Sequence, residues 1–266
     1  MPPPPDDALT TPPASPIENH ENSPVVVILC GGQGTRLREH TAHMPKPMVR
    51  IGDEPILAHI MRHYAHHGFD RFVLCLGHKG QQITDWLASP EGQRVCGGWD
   101  VAAVDTGIPA GTGARIAKVA DHLDGERFMV TYGDGLSDVD LRAVLQAHRA
   151  HGRLATVTGV NPPPRFGQLV LDADDGVRVF SEKPQQTDTW INGGFFVFER
   201  AVLQYLSTDD DCLLERGPLD RLAQLGQLSA VRHTGFWQCM DTHRDWALLT
   251  RMWTEGDPPW KTWAPR

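Results

Sequence analysis

Apolar residues recur along this chain in short runs with two different periods. "VVVILC", residues 25–30, is a continuous, largely β-branched run and predicts a strand buried on both faces. "EPILAHIMRHYAHHG" then sets Ile56, Leu57, Ile60, Met61, Tyr64 and Ala65 at helical spacing and stops at Gly68. "RFVLCLG", "WDVAAVDT" and "RFMVTYGD" predict three more strands, with helices in "KGQQITDWLA", "GTGARIAKVADHL" and "DLRAVLQAHRAHG". That alternation implies an α/β fold, a mostly parallel, Rossmann-like sheet flanked by helices. After Arg153 the texture changes. "LATVTGV", "FGQLVLD", "GVRVFSEKP" and "NGGFFVFE" read as strands with few helices between them, expected as antiparallel additions at the sheet edge that make the sheet mixed. "HRDWALLTRMW" predicts a last helix packed back on the body.

Residues 1–23 are rich in proline and polar groups and predict a disordered tail, leaving 24–266 as one domain. The 266 residues are 40% hydrophobic and 22% charged, ordinary for a soluble protein. A net charge of −8 argues against nucleic acid as a partner, so an anionic small molecule must be met by a few focused cations and a metal. Five scattered cysteines without a CxxC pair point to reduced thiols and a cytoplasmic location. No apolar run approaches the roughly 18 residues of a membrane helix, so no membrane partner is expected.

In an open α/β sheet, ligands gather at the C-terminal strand ends, here Gly31–Arg36, Gly77–Lys79, Asp105–Gly113 and Tyr132–Asp138. The first is a glycine turn with three possible ligands. A dinucleotide fingerprint lacks its third glycine, because Thr35, Arg36 and Leu37 follow Gly34. A P-loop lacks its lysine. A nucleoside triphosphate fits better: backbone N–H groups of the turn approach the nucleotide, Thr35 adds a hydroxyl and Arg36 a forked cation. Lys46, between Pro45 and Pro47, supplies a second cation on a pre-shaped turn.

"GGQGTRL" followed by "PKPM" resembles the signature of the sugar-1-phosphate nucleotidyltransferases. "VDTG", "TYGDGLSDVDL", "RFGQL", "EKP", "INGGFFVF", "GFWQCMDT" and "PWKTW" are similar to the glucose-1-phosphate cytidylyltransferase branch, in family order from Val25 to Trp263. The resemblance implies a nucleotidyltransferase (GT-A-like) fold and transfer of a nucleotidyl group from CTP to glucose 1-phosphate with Mg²⁺. UTP, dTTP or a modified sugar 1-phosphate stay open as substrates. It implies that Asp134 and Asp241 hold the metal, and that Arg36, Lys46 and Lys183 act on the phosphates. The nucleotide would lie against Leu29, Gly31, Gly32, Gln33, Gly34, Thr35 and Gly133, with Asp105, Thr106, Thr112 and Gly113 toward base or ribose. Arg165, Glu182, Lys183, Asn192, Gly193 and Gly194 would meet the sugar phosphate. Relatives of this kind associate, so a homo-oligomer is expected.

Two departures stand out. Met44 replaces a lysine common in related enzymes, and the passage before Val101 is short. His59, His63, His66 and His67 have helical spacing but no companion ligands, and read as solvated or half-buried side chains. Two rivals remain at this point: a non-catalytic nucleotide-sugar sensor, which has no reason to keep Arg36, Lys46, Asp134, Lys183 and Asp241 together, and a metal-dependent glycosyltransferase, which gives the glycine turn no role.

Overall fold

The apolar run at 25–30 becomes the middle of the molecule. In a computed structural model describing residues 23–162, 167–182 and 189–263, seven strands form the central sheet. We number them β1 (Val25–Leu29), β2 (Arg71–Leu76), β3 (Asp100–Asp105), β4 (Arg127–Tyr132), β5 (Ala155–Val160), β6 (Ile191–Glu199) and β7 (Leu228–His233). Their order is β7-β5-β6-β4-β1-β2-β3. Parallel pairs join β1 to β2 and β4, β2 to β3, and β5 to β7. Only β6 runs against its neighbours, β4 and β5.

Alternation along β1 and β2 divides the core. Val26, Ile28, Phe72 and Leu74 face helices Ile56–His66 and Leu141–His151. Val25, Val27, Leu29, Val73 and Cys75 face helix Thr112–Lys118 on the other side. A strand covered on both faces has no polar register, which is why the run reads as continuously apolar.

The second half corrects one expectation in detail. The antiparallel addition is an interior strand, while the edge strand β7 runs parallel. The reason is written in β6, where Phe195, Phe196, Val197 and Phe198 are all buried. Four consecutive apolar side chains need cover on both faces, which an edge does not give. "FGQLVLD" and "GVRVFSEKP" form a separate antiparallel hairpin, Gln168–Leu171 with Val177–Ser181. Its Leu169, Val170, Leu171, Val177, Val179 and Phe180 are 50–68% exposed.

The histidines also differ from expectation. His59 and His63 belong to the buried face of helix Ile56–His66. His59 Nε2 lies 3.0 Å from the Ile51 carbonyl, and His63 Nδ1 lies 3.0 Å from Thr262 Oγ1. Burial pushes the imidazole pKa of His59 down to about 4 and that of His63 to about 3, so both are neutral core groups. Met44 packs against the same core rather than pointing a polar group anywhere. The short passage before Val101 contains helix Pro90–Cys96, whose N-cap Ser89 accepts from Gly92 N. All five cysteines are free, and among the described residues no helix is long and apolar enough to cross a membrane. The expected tail lies almost wholly outside the described residues.

Candidate active site

The sheet order reverses at β1, since β2 and β3 add on one side and β4 on the other. A crevice outside the strand ends at such a switch point is the usual ligand site of open α/β sheets. A cavity of about 390 Å³ opens there, lined by the segments that leave β1 and β4 and by Ile108–Thr112 beyond β3. Leu29, Gly31, Gly32, Gln33, Gly34, Thr35 and Arg36 all line it. Gly34 turns with a φ of 61°, and a Cβ on Gly31 would strike the Arg115 guanidinium, so both need glycine.

A two-stranded ribbon builds the acidic wall. Gly135–Ser137 pairs antiparallel with Trp237–Cys239, Gly135 opposite Cys239. Asp134 precedes one strand and Asp241 follows the other, and Met240 N donates to Asp134 O at 2.9 Å, so the two carboxylates share one end. Asp245 fixes the second from behind: its Oδ2 accepts from the backbone N–H groups of Asp241 and Thr242, while Thr242 caps helix His243–Thr254 in return.

Lys46 stands between the carboxylates. Its Nζ donates to Asp134 Oδ2 at 2.5 Å and Asp241 Oδ1 at 2.6 Å, and only 13% of the side chain is exposed. Burial works against the ammonium, but Asp134 and Asp241 outweigh it and hold the Lys46 pKa above the ordinary lysine value. Burial likewise opposes ionisation of Asp241, yet Lys46 and then Arg36 carry its pKa below the usual carboxylate value. Arg36 NH1 lies 3.1 Å from Asp241 Oδ2, with 71% of its side chain exposed at the cavity mouth. Cys239 Sγ is 3.7 Å from Asp241 Oδ2, and burial with the nearby carboxylates keeps it a thiol, its pKa pushed up to about 12. Two carboxylate oxygens that converge on one cationic atom also suit a hard divalent ion such as Mg²⁺, so the donor set fits that group.

The floor is a buried arginine that the sequence pattern did not single out. Arg115 donates to the carbonyls of Leu76, Gly31 and Ile108 and to Thr106 Oγ1, tying the ends of β1, β2 and β3 together. Its sequence signal is its place on the core-facing stripe of helix Thr112–Lys118, one turn before Val119. Glu215 was missed as well. It accepts from Thr112 Oγ1 at 2.6 Å and Tyr132 Oη at 2.5 Å, and Asn192 Nδ2 donates to the same tyrosine oxygen. The signal for Glu215 lies only in three-dimensional pairing.

Of the other expected residues, Thr112, Gly133, Lys46, Asp134 and Asp241 line the cavity. Thr106 does not. It is buried, its hydroxyl donating to Leu76 O and accepting from Arg115, so it supports the floor instead of facing a ligand. Gly113 is turned away too, packed against Cys212, and Asp105 is exposed, accepting from Gly107 N. Glu182 and Asn192 are exposed beyond the lining, and Gly193 O accepts from Trp237 Nε1. Arg165 and Lys183 lie outside the described residues.

Comparison with known proteins gives the chain's family and fold. The nucleotidyl transferase family profile matches residues 25–224. The chain is 44% identical to the glucose-1-phosphate cytidylyltransferase of Salmonella typhi, over 89% of this chain and 98% of that protein. It is 39% identical to the "Probable glucose-1-phosphate cytidylyltransferase" of Bacillus subtilis (strain 168), over 89% and 99%. In three dimensions it is similar to HddC from Yersinia pseudotuberculosis, also solved in complex with GMP-PN, with a TM-score of 0.68, 25% identity and coverage of 86% and 99%. With a profile match over residues 25–224 and 44% identity across nearly the whole of a relative, this chain belongs to the nucleotidyl transferase family.

Proposed function

We infer that this enzyme transfers the cytidylyl group of CTP to glucose 1-phosphate, giving CDP-glucose and pyrophosphate. The observation that carries the chemistry is Lys46 Nζ within 2.6 Å of both Asp134 and Asp241 at the foot of the glycine turn. The nucleobase and sugar rest on likeness to the Salmonella and Bacillus relatives. An oxygen of the sugar phosphate attacks the α-phosphorus, the bond from that phosphorus to the bridging oxygen breaks, and pyrophosphate leaves with the electron pair. No side-chain nucleophile is needed, so the protein's work is positioning and charge neutralisation.

Arg36, exposed at the mouth, grips the outer phosphates in this reading, and the N–H groups of the turn hold the inner ones. Lys46 meets the α-phosphate and the incoming sugar phosphate, where it offsets charge that grows in the transition state. Asp134 and Asp241 would hold Mg²⁺, which when bound supplies positive charge to the triphosphate. Glu182, Asn192 and Gly193 with Lys183 and Arg165 remain the sugar-phosphate assignment, supported by the resemblance of their motifs. Small molecules are thus the partners, and free thiols suit a cytosolic setting. Residues 24–266 act as one domain in this reading, since both core clusters share one sheet. The apolar hairpin supports association of copies of the chain.

The test is pyrophosphate release with Mg²⁺, a panel of CTP, UTP, dTTP, GTP and ATP, and glucose 1-phosphate or mannose 1-phosphate. CTP with glucose 1-phosphate should exceed every other pair by at least about tenfold in kcat/KM, a difference of about 1.4 kcal/mol in transition-state binding. Preference for another pair would move the substrate assignment while keeping the chemistry, and tight nucleotide binding without release would overturn catalysis itself.

A further inference from the structure

Outside the cavity lining, Glu39, His40 and His243 bring one carboxylate oxygen and two imidazole nitrogens within 4.8 Å of one another. His40 Nε2 lies 3.4 Å from His243 Nδ1, which lies 3.1 Å from Glu39 Oε2. Ligand atoms about 2.0–2.1 Å from a tetrahedral zinc ion stand roughly 3.3 Å apart, so both spacings match edges of that tetrahedron. The rings are not loose. Trp246 packs against both, with centroids 4.3 Å from His40 and 5.1 Å from His243. Trp246 is itself anchored, its Nε1 donating to the Arg50 carbonyl at 3.0 Å.

We propose that Glu39, His40 and His243 form a binding site for a zinc-class divalent transition ion, separate from the Asp134–Asp241 pair. The donor set decides the class. Mg²⁺ and Ca²⁺ take oxygen ligands, whereas two imidazoles and one carboxylate suit zinc and its neighbours and leave a fourth position for water. Neither histidine and no oxygen of Glu39 has a part in the transfer reaction described above. The position adds a consequence. Glu39 follows Arg36 by one helical turn, and His243 follows Asp241 by two residues. A bound ion staples the phosphate-gripping segment to the carboxylate loop, with a net charge of +1 beside the mouth when both histidines are neutral.

The test uses the full, untagged chain, stripped with a chelator and dialysed against Zn²⁺ in excess Mg²⁺. About one zinc per chain is expected with micromolar or tighter affinity, and the Asp134→Asn variant should bind it equally well. His40→Ala and His243→Ala should each weaken binding at least tenfold. Glu39→Gln, at a side chain 73% exposed, should weaken it less and leave the fold untouched. Co²⁺ in place of zinc should give the intense visible bands of four-coordinate cobalt, lost in His40→Ala. Unchanged zinc affinity in the His40→Ala/His243→Ala double variant, or loss of the bound zinc in Asp134→Asn alone, overturns the site. So does failure to bind zinc below about 100 μM, weaker than a three-ligand protein site allows.

Discussion

Lys46 pairs with two carboxylates at once, and replacing it separates charge from shape. Lys46→Met keeps most of the side chain's volume while leaving Asp134 and Asp241 facing each other with no cation between them and only Arg36 at the outer side of Asp241. Turnover should fall about 100- to 1000-fold, the usual cost of removing one group aimed at transition-state charge. Mn²⁺ binding in the absence of nucleotide should tighten, because the ammonium no longer competes for the same oxygens. Pyrophosphate release and Mn²⁺ resonance titration read the two effects separately, and a variant that loses both would show that Lys46 only builds the fold. Gly32 offers a contrast at this scale. A Cβ there would meet nothing within 4 Å, so the fold itself makes no demand for glycine at that position. Gly32 lines the cavity, so Gly32→Ala tests the ligand alone: nucleotide affinity should fall while the thermal midpoint holds, and unchanged affinity would show that nothing bound approaches that carbon.

At the scale of elements, helix Ile56–His66 makes stability depend on acid. His59 and His63 are neutral when folded, with pKa values depressed by burial to about 4 and about 3, and His67 is lowered to about 4 by the same cause. Each regains an ordinary value near 6.5 on unfolding. The unfolded chain therefore binds more protons below that pH. Stability is fully present above about pH 6.5 and is lost as pH falls toward 4 and then 3. His66 and His233, which also act on His63, oppose its protonation and keep the sign. The thermal midpoint should fall steadily from pH 6.5 to 4, and His63→Gln should flatten that slope; an unchanged slope would mean another element carries the acid sensitivity. The helix, the strand run and the glycine turn were legible because their signals are local, written within a dozen residues. The inner position of β6 and the ribbon pairing Gly135 with Cys239 were not. Pairing across about a hundred residues leaves no period in the sequence, so the sequence named Asp134 and Asp241 through resemblance alone. Arg115 was hidden for another reason: a charged residue in a helix normally reads as solvent-facing, and only its four acceptors explain its burial.

For the whole molecule, the hairpin Gln168–Leu171/Val177–Ser181 is the least settled surface. Successive residues Leu169, Val170 and Leu171 are exposed, so both faces of the ribbon are apolar and uncovered. Six such side chains expose on the order of 500 Å², more than half of what each partner buries in a standard interface. Copies of this chain should therefore associate through it. Light scattering after gel filtration should find an oligomer, and Phe180→Glu paired with Val170→Lys should shift it to monomer without loss of the sheet. A wild-type chain that elutes as monomer at micromolar concentration would assign the ribbon to something else.

The order in which these parts occur along the chain has its own consequence. Strands β1 to β4, the turn and Lys46 all lie within residues 25–132, where β1 pairs with β2 and β2 with β3 over separations of fewer than 50 residues and β4 closes on β1 about 100 residues on. Asp241 meets Lys46 across 195 residues. Closing that long span is entropically late, so during synthesis on the ribosome the phosphate cradle takes shape well before its acidic wall arrives. A nascent chain halted before residue 237 holds a sheet and a lysine but only one of the two carboxylates. Competence for chemistry is then conferred only when the segment that carries Asp241 has emerged, which makes a product cut before it silent rather than promiscuous.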